Sequence, residues 1–546
     1  MTPVAYREAQ EPNTVQRESP TRALRQQGGL TKAFVLIALV ALAIRLTFFI
    51  GYQGRDDRNY LAYAHHVASG QTIASLDVQT QWVGRVGFWL PLAASISVLG
   101  STEYAYVLFP LSLSIAGVWI TLAIGTATVG RRAAVLAALL LAILPLDVLY
   151  ATRAYPDLPL GVLMVGAFWL ALRARDEHQP WWIASAAGFV LGAAYLQKET
   201  ALFAAVPIGI ALRFWSRRHW QALLLIGLSV CVVVAAEFAF WQTVKGDPLY
   251  RFHAADAALT AVMDRLDESP AQGWVPGPKP TEMYRSSNSL LDAALMLAVN
   301  EELGLLYWLA LPLFFIGLVR KDAPTRDLRM WIGLLLLLIL FFPVHWPRYT
   351  MPRDPRYLTC LAIPSLLLCA SYLLRMGVRA RAITLMLLIT SSAAGVYLGS
   401  VSSVMEPQRT LLERARTGEH LWVTPQFGAD LLFLNGDHQP IPLGIHFLEQ
   451  GPTAGSFHAA RLVRPTIAVA HSAEEMTTGT LVIRDADRRP PPGWEVFETI
   501  TVASPKLIAG VQAVLGAAGL QKFALRLAPG GGVTATLYRR SVARGN

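Results

Sequence analysis

The chain has 546 residues, of which 54% are hydrophobic and only 15% are charged. So few charges exclude an ordinary soluble chain of this size and indicate a protein that crosses a bilayer many times. The net charge of +10 does not indicate a nucleic-acid partner. The basic residues stand in short clusters between apolar runs, a pattern typical of membrane topology.

A polar leader, residues 1–32, precedes the first apolar run and is predicted to be cytoplasmic. A membrane-spanning helix needs roughly 20 mostly apolar residues. Runs of about this kind recur along the chain as far as residue 400 and predict about eleven spans, at about 33–50, 104–128, 133–150, 158–172, 182–197, 200–212, 221–244, 302–319, 330–344, 357–374 and 382–400.

The basic residues predict how these spans are oriented. The leader and the loops after the even-numbered spans carry clusters of arginine and lysine, whereas the loops after spans three and five offer only Arg153 and Lys198. Positive residues stay on the cytoplasmic side of a membrane. We therefore expect a cytoplasmic N-terminus and, after an odd number of spans, an external C-terminal region.

Three long segments are predicted to share the external face: residues 51–103, 245–301 and 401–546. In the first, Asp57–Ala68 has helical spacing, and Val86–Leu99 is apolar but too short to span, which indicates a helix lying along the interface. The third is predicted to be a soluble α/β domain, with strands at His420–Val423, Thr480–Ile483, Glu495–Val502 and Val533–Tyr538, a turn at Gly530–Gly532 and a helix over Ser504–Leu520.

Two adjacent carboxylates, Asp56 and Asp57, follow the first span. They have the chemistry of a general base and a partner that orients it. The alternative is a solvated turn in which Asp57 caps the next helix. His65 and His66 follow on the same predicted helix, where adjacent residues face different ways, and we expect them to be surface residues rather than metal ligands.

Further ionisable residues lie at the predicted outer ends of later spans, where charges are costly and indicate function. Asp157 is interpreted either as a functional carboxylate or as a helix cap, and Lys198 either as a structural ion pair or as a phosphate ligand. Arg353 and Arg356 belong to an external loop that breaks the charge rule, which favours an anionic ligand there. Arg45, inside the first span, either snorkels or helps to bind that anion.

Carboxylates suit the activation of a hydroxyl, cations suit a phosphate leaving group, and the membrane suits a donor with a lipid tail. Their predicted convergence on one face favours transfer of a group from a lipid-linked phosphate to an external acceptor. Alternatives remain. A polytopic transporter or lipid flippase for a lipid-linked or anionic substrate would also carry intramembrane charges, but no internal duplication is evident. A non-catalytic scaffold would leave the arginine-rich loop unexplained.

Residues 33–400 resemble, in motif order and sidedness, the GT-C class of polyprenyl-phosphate-sugar-dependent glycosyltransferases. The likeness is greatest to the bacterial branch with the protein O-mannosyltransferases and the lipid A aminoarabinose transferases. It rests on Asp56-Asp57-Arg58-Asn59-Tyr60, on Arg153-Ala154-Tyr155-Pro156-Asp157, on Gly192–Thr200 and on Pro355-Arg356-Tyr357-Leu358. The pair is often Asp-Glu in that class, so Asp-Asp here leaves open which carboxylate is the base.

The resemblance implies an inverting glycosyltransferase of a bacterial inner membrane, with a periplasmic C-terminal domain. Asp56 or Asp57 would take the acceptor proton, Asp157 would orient the acceptor or the acidic loop, and the donor phosphate would be bound by Lys198, Arg353, Arg356, Tyr357 and Arg153. The implied partners are a polyprenyl-phosphate sugar, an acceptor lipid, glycan or protein, and membrane lipids. No cofactor is required, and a divalent metal stays open.

Overall fold

The fold was analysed in a computed structural model. The structure describes residues 20–54, 56–75, 82–176, 178–212, 217–257, 297, 300, 302–341, 343–345, 349–350, 354–401, 405–423, 425–436, 445–448, 469–470, 480–483, 494–501, 510, 513–514, 517 and 534–540.

Long apolar helices make up most of the described residues up to position 401. Each predicted span coincides with one helix or with two consecutive ones. The helices are α1 (Pro20–Thr47), α2 (Asp56–Ala68), α3 (Val86–Leu99), α4 (Glu103–Thr128), α5 (Arg131–Ile143), α6 (Pro145–Ala151), α7 (Asp157–Ala174), α8 (Trp182–Gln197), α9 (Ala205–Leu212), α10 (Arg217–Lys245), α11 (Leu306–Val319), α12 (Arg326–Phe341), α13 (Thr359–Leu373) and α14 (Val378–Val401).

By length and composition, six helices within the described part can cross a membrane, and the bent pair α5 and α6 makes a seventh. The two halves of that pair differ in direction by 56°. Pro145 begins α6, where its ring lacks an N–H and cannot continue the hydrogen bonding of α5. Shorter apolar helices, including α8, α9 and α11, carry other predicted spans. The total of about eleven spans stays a prediction.

Arg45, on α1, connects the bent pair α5 and α6 to α4. Its side chain is fully buried and donates to Ser114 Oγ on α4 at 2.7 Å and to the Ala41 carbonyl at 2.8 Å. It also forms an ion pair with Asp147 on α6. Both sequence interpretations of Arg45 are therefore wrong, because the guanidinium neither reaches the surface nor faces an open anion site.

The loops predicted to be cytoplasmic meet one another at one end of the bundle. Arg175, after α7, donates to Asp327 at the start of α12 at 2.8 Å. Arg375, after α13, lies 3.3 Å from Asp322 in the loop before α12. The structure thus supports the grouping of these loops, whereas the side of the membrane that they face stays a prediction.

That orientation predicts which engineered cysteines an impermeant maleimide labels in intact cells. In a Cys231→Ala background, which removes the one exposed native cysteine, Thr417→Cys is expected to react without permeabilisation. Lys321→Cys should react only after permeabilisation. Both positions are exposed in the structure. The reverse pattern would place the C-terminal region in the cytoplasm and overturn the predicted topology.

A second apolar core lies at the opposite end of the bundle. It is built around α2 and α3, the start of α4, and two residues from beyond α14, Met405 and Phe433. The predicted interfacial helix has the expected bounds, Val86–Leu99. His65 and His66 lie within this layer at 7% and 2% exposure, so the prediction that they are surface residues is wrong. Residues from the C-terminal region cover α2.

The C-terminal region contributes two helices, α15 (Glu406–Arg416) and α16 (Pro425–Asn435), and a six-stranded sheet of order β5-β4-β3-β6-β8-β7. Strands β3 to β6 pair in parallel, whereas β8 is antiparallel to both β6 and β7. The strands are β3 (Leu421–Val423), β4 (Ile445–Leu448), β5 (Val469–Ala470), β6 (Thr480–Ile483), β7 (Trp494–Thr501) and β8 (Thr534–Arg540), after a small hairpin of β1 (Pro343–His345) and β2 (Tyr349–Thr350). The predicted turn at Gly530–Gly532 and most of the predicted helix Ser504–Leu520 lie outside the described residues.

Candidate active site

The acidic pair begins α2, and its two carboxylates differ in environment. The Asp56 side chain is 27% exposed, whereas Asp57 is fully buried. The backbone N–H of Gln53 donates to Asp57 Oδ2 at 3.0 Å, which closes the turn before the helix. Asp57 Oδ1 has no hydrogen-bond partner among the described residues. The solvated-turn interpretation is therefore wrong for Asp57.

Arg356, which lies 300 residues further along the chain, contacts Asp56. Its Nη1 donates to Asp56 Oδ2 at 2.8 Å. Arg356 stands in a single 3-10 turn, Pro355–Leu358, in which Asp354 accepts the Arg356 backbone N–H at 3.1 Å. Its guanidinium lies 5.4 Å from the ring centre of Tyr155 and 5.4 Å from that of Tyr357. Packing between two aromatic rings fixes the plane of the guanidinium beside the acidic pair.

A second ion pair lies next to Arg356. Lys198 Nζ donates to Asp157 Oδ1 at 2.7 Å, and both side chains are at least nine-tenths buried. The ammonium also lies 4.0 Å from the ring centre of Tyr357. The Asp157 backbone carbonyl accepts the Thr359 hydroxyl at 2.6 Å. These contacts join the ends of α7, α8 and α13, and they identify Asp157 as the counter-ion of Lys198.

Close packing at Gly161 keeps these helix ends together. A Cβ at this position would lie 2.7 Å from the backbone nitrogen of Cys360 and 2.7 Å from the carbonyl carbon of Thr359. Backbone atoms cannot rotate away as a flexible side chain can. Only glycine at position 161 lets α7 approach α13 closely enough for the Asp157–Thr359 contact.

Gly161→Val is therefore expected to push α7 from α13 and to destabilise the protein by about 1–3 kcal/mol. The melting temperature of the detergent-purified protein measures this effect. Gly227→Val on α10 is a matched control, because no atom lies within 4 Å of a Cβ at that position. An equal loss of stability in both variants would contradict the packing argument.

Arg153 lies at the edge of the site. Its Nη1 is 3.5 Å from Glu302 Oε1, and its guanidinium is 5.0 Å from the ring centre of Tyr150. Its positive charge lowers the pKa of Asp57. The charge of Arg153 therefore acts on the acidic pair. Arg153 is not among the contacts of Lys198 described above.

A cavity lies next to the two ion pairs. Its polar end is formed by Asp157, Thr200, Arg356, Tyr357 and Thr359. The other lining residues are Leu160, Met164, Phe203, Leu335, Ile339 and Cys360, from α7, the 3-10 turn before α9, α12 and α13. A pocket with charge at one end and apolar walls extending between helices suits an amphiphile with an anionic head.

Residues 85–241 match the family described as dolichyl-phosphate-mannose-protein mannosyltransferase. The chain is similar over 95% of its length to ArnT from Cupriavidus metallidurans bound to undecaprenyl phosphate, of which 99% is covered, with 13% identity and a TM-score of 0.56. The apo form of that ArnT aligns with 84% of the chain and 93% of its own length, with 14% identity and a TM-score of 0.52.

The chain has the fold of these ArnT structures. This shared fold, together with the family match at residues 85–241, confirms the resemblance to the GT-C class that was drawn from the motifs. A search of curated protein sequences finds no match.

The structure brings most of the predicted site residues together. Asp56, Asp157, Lys198, Arg356 and Tyr357 form one connected set of ion pairs and ring contacts. Asp57 lies beneath this set, and Arg153 flanks it. Arg353 lies outside the described residues. In the described part of the chain, no three His, Cys, Asp or Glu side chains are placed to share a metal ion.

Two residues of the site were missed from the sequence. Arg85, at the start of α3, donates to the Tyr60 hydroxyl, and its ring contact with Tyr60 measures 5.7 Å. An arginine directly before an apolar helix at the interface is the signal that could have identified it. Asp430 approaches α2 from the C-terminal region, and no local pattern around it indicates that contact.

Burial raises the pKa of the Asp57 carboxyl from 3.8 to about 7, although the Gln53 hydrogen bond and the charge of Arg153 each lower it. The folded protein therefore holds this proton more tightly than the unfolded chain. The resulting contribution of the Asp57 carboxyl to the free energy of unfolding is fully present below about pH 4 and is lost as the pH rises through 7.

Asp57→Asn removes this titration. We expect the melting temperature of wild type, relative to that of Asp57→Asn, to fall as the pH is raised from 5 to 8. The comparison between the two proteins cancels the titration of groups that they share. A constant difference across this range would show that Asp57 does not titrate near neutrality.

Proposed function

We propose that this GT-C protein is an inverting glycosyltransferase. It moves a sugar from a polyprenyl-phosphate donor to an acceptor on the outer face of a bacterial inner membrane. The observation that carries the proposal is the connection between Asp56, Arg356 and the cavity. A partly exposed carboxylate is joined at 2.8 Å to a cation that also forms the polar end of an apolar-walled pocket.

The charges suit the departing group. Arg356 lines the polar end of the cavity, and Lys198 is paired with Asp157, which lines it too. Both cations would donate to the phosphate oxygens, while the apolar walls would hold the first isoprene units. Positive groups fixed where negative charge develops stabilise a transition state more than a ground state. Asp157 holds Lys198 at 2.7 Å and so orients the ammonium. From the sequence, Arg353 is proposed as a further phosphate ligand.

The carboxylates suit the attack. Asp56 would accept the proton of an acceptor hydroxyl as its oxygen attacks the anomeric carbon from the face opposite the phosphate. The bond between that carbon and the phosphate oxygen breaks, its electron pair leaves with the polyprenyl phosphate, and the configuration inverts. Asp56 is favoured over Asp57 as the base, because Asp56 is 27% exposed and Asp57 is fully buried.

The comparisons support this proposal. The similar ArnT structure contains undecaprenyl phosphate, and the family matched at residues 85–241 is described by a dolichyl-phosphate-mannose donor. Both are lipid monophosphates or their sugar derivatives.

Direct binding of lipids to the detergent-purified protein tests the proposal, because the lipid phosphate is common to all donors of this type. Undecaprenyl monophosphate is expected to bind at least tenfold more tightly than undecaprenol, which has the same chain without the phosphate. Equal binding of the two lipids would contradict a phosphate site at Arg356 and Lys198. Transport of an intact lipid-linked substrate across liposome membranes, without loss of its sugar, would support the flippase alternative.

A further inference from the structure

One carboxylate from the C-terminal region binds both ends of the segment that carries the acidic pair. Asp430, on α16, accepts the Tyr52 hydroxyl at 2.7 Å and Arg58 Nε at 2.9 Å, both through the same oxygen, Oδ1. Arg58 Nη2 lies 2.8 Å from that oxygen as well. Tyr52 precedes the pair and Arg58 follows it directly, so Asp430 closes residues 52–58 into a loop.

This contact is sealed from solvent. Asp430 is fully buried, Tyr52 is 1% exposed and Arg58 is 5% exposed. A charge pair in such a place holds its geometry, because separating the partners would leave an uncompensated buried charge. It is therefore a rigid contact rather than a surface ion pair of the kind that contributes little.

The backbone within the loop also touches the C-terminal region. Gly54 has φ of +71°, a left-handed conformation that favours glycine. A Cβ there would lie 2.8 Å from Met405 Cε and 3.2 Å from Asp430 Oδ1. The loop is thus enclosed by the same segment of chain that supplies the carboxylate.

The rest of α2 is held by α16 as well. The Phe433 ring lies 5.4 Å from that of Tyr52 and 5.5 Å from that of His65, between ring centres. The Tyr106 hydroxyl donates to the Phe433 carbonyl at 3.4 Å. Helix α16 therefore contacts α2 near its start, through Asp430 and Arg58, and near its end, through Phe433 and His65.

We propose that Asp430, which lies outside the membrane domain, is a positioning residue that holds the acidic pair in place for the reaction. The inference rests on the proposed function, since it assigns Asp430 a role in orienting the Asp56 and Asp57 carboxylates. The C-terminal region then takes part in the reaction, because the geometry of the base depends on it. A misplacement of about 1 Å at a reacting group can cost 10²-fold in rate.

Hydrogen–deuterium exchange of the full-length protein tests the contact without any substrate. In Asp430→Asn, the amides of residues 53–58 are expected to exchange at least about tenfold faster than in wild type. The Gln53 amide reports directly, because it donates to Asp57. Arg414→Gln is the control, since it breaks an ion pair with Glu498 inside the C-terminal region and leaves α2 untouched.

Tyr52→Phe is the second variant, in case Asp430→Asn does not fold. It removes only the hydroxyl that Asp430 accepts, and it should speed exchange in the same residues by a smaller factor. Unchanged exchange at residues 53–58 in a folded Asp430→Asn or Tyr52→Phe protein would overturn the proposal. An equal increase in Arg414→Gln would do so too, since it would indicate a general loosening of the C-terminal region.

Two further readouts separate this inference from the proposed function. Asp430→Asn should bind undecaprenyl monophosphate as wild type does, within about threefold, while kcat for sugar transfer falls at least tenfold at little-changed KM for the donor. A fall in donor binding with unchanged kcat would contradict positioning of the base. Failure of wild type to bind the lipid would contradict the proposed function alone, because the exchange experiment tests the Asp430 contact independently of any lipid.

Discussion

Asp56→Asn is expected to lower sugar transfer by about 10²-fold or more, the usual effect of losing a general base. Asparagine keeps the shape of aspartate and its ability to cap a helix, but it does not accept a proton. The amide oxygen also retains an acceptor for Arg356, which donates to Asp56 at 2.8 Å in wild type. The protein should therefore stay folded and still bind undecaprenyl phosphate.

The matched variant is Asp57→Asn. Asp57 is buried and bound by the Gln53 amide, so its replacement should alter the pH dependence of stability more than the chemistry. Transfer, lipid binding and melting temperature are measured on the same preparations of both variants. Full transfer activity in Asp56→Asn together with loss of activity in Asp57→Asn would exchange the two roles. Full activity in both and in the double variant would leave Asp157 as the acidic candidate.

Arg356→Gln is expected to weaken binding of undecaprenyl monophosphate by about tenfold to a hundredfold. A hydrogen bond to a charged group contributes about 1.5–3 kcal/mol, and Arg356 faces the polar end of the cavity. Binding of undecaprenol, which lacks the phosphate, should change little. Equilibrium binding of both lipids to purified protein gives this comparison.

Arg375→Gln provides the control for Arg356→Gln. It also removes one arginine, but this residue is half-exposed and contacts Asp322 at the opposite end of the bundle. Its affinity for the lipid phosphate should equal that of wild type. Equal weakening by the two substitutions would indicate an effect of net charge rather than of a site, and unchanged affinity in Arg356→Gln would move the phosphate to Lys198 or Arg353.

The positions of the helices could be predicted from the sequence because apolar runs of membrane length have few other ways to satisfy their backbone groups. The single predicted run at 133–150 is two helices, since Pro145 interrupts the hydrogen bonding. The arginine clusters predicted that Asp56, Lys198 and Arg356 share one side of the membrane. These residues lie far apart in the chain but close together in the fold.

The contacts within the site could not be predicted in the same way. Asp56 and Arg356 are 300 residues apart, and Arg58 and Asp430 are 372 apart. No spacing rule relates such residues. The same limit explains the wrong predictions for Asp57, His65 and His66. Charged and polar residues in a loop suggest solvent, but these side chains are buried in the fold. Part of that burial comes from α16, which contacts Tyr52, Arg58 and His65 and whose approach depends on the fold of the C-terminal region.

The fate of natural lipid-linked sugars tests the central claim most directly. Radiolabelled lipid-linked sugars, extracted from the membranes of cells that make the protein, are incubated with the purified protein and acceptor-containing membranes. Wild type is expected to transfer label from one such lipid and to release polyprenyl monophosphate, whereas Asp56→Asn should leave that lipid intact. If wild type leaves all of these lipid-linked sugars unchanged and releases no polyprenyl monophosphate, the protein is not the glycosyltransferase proposed.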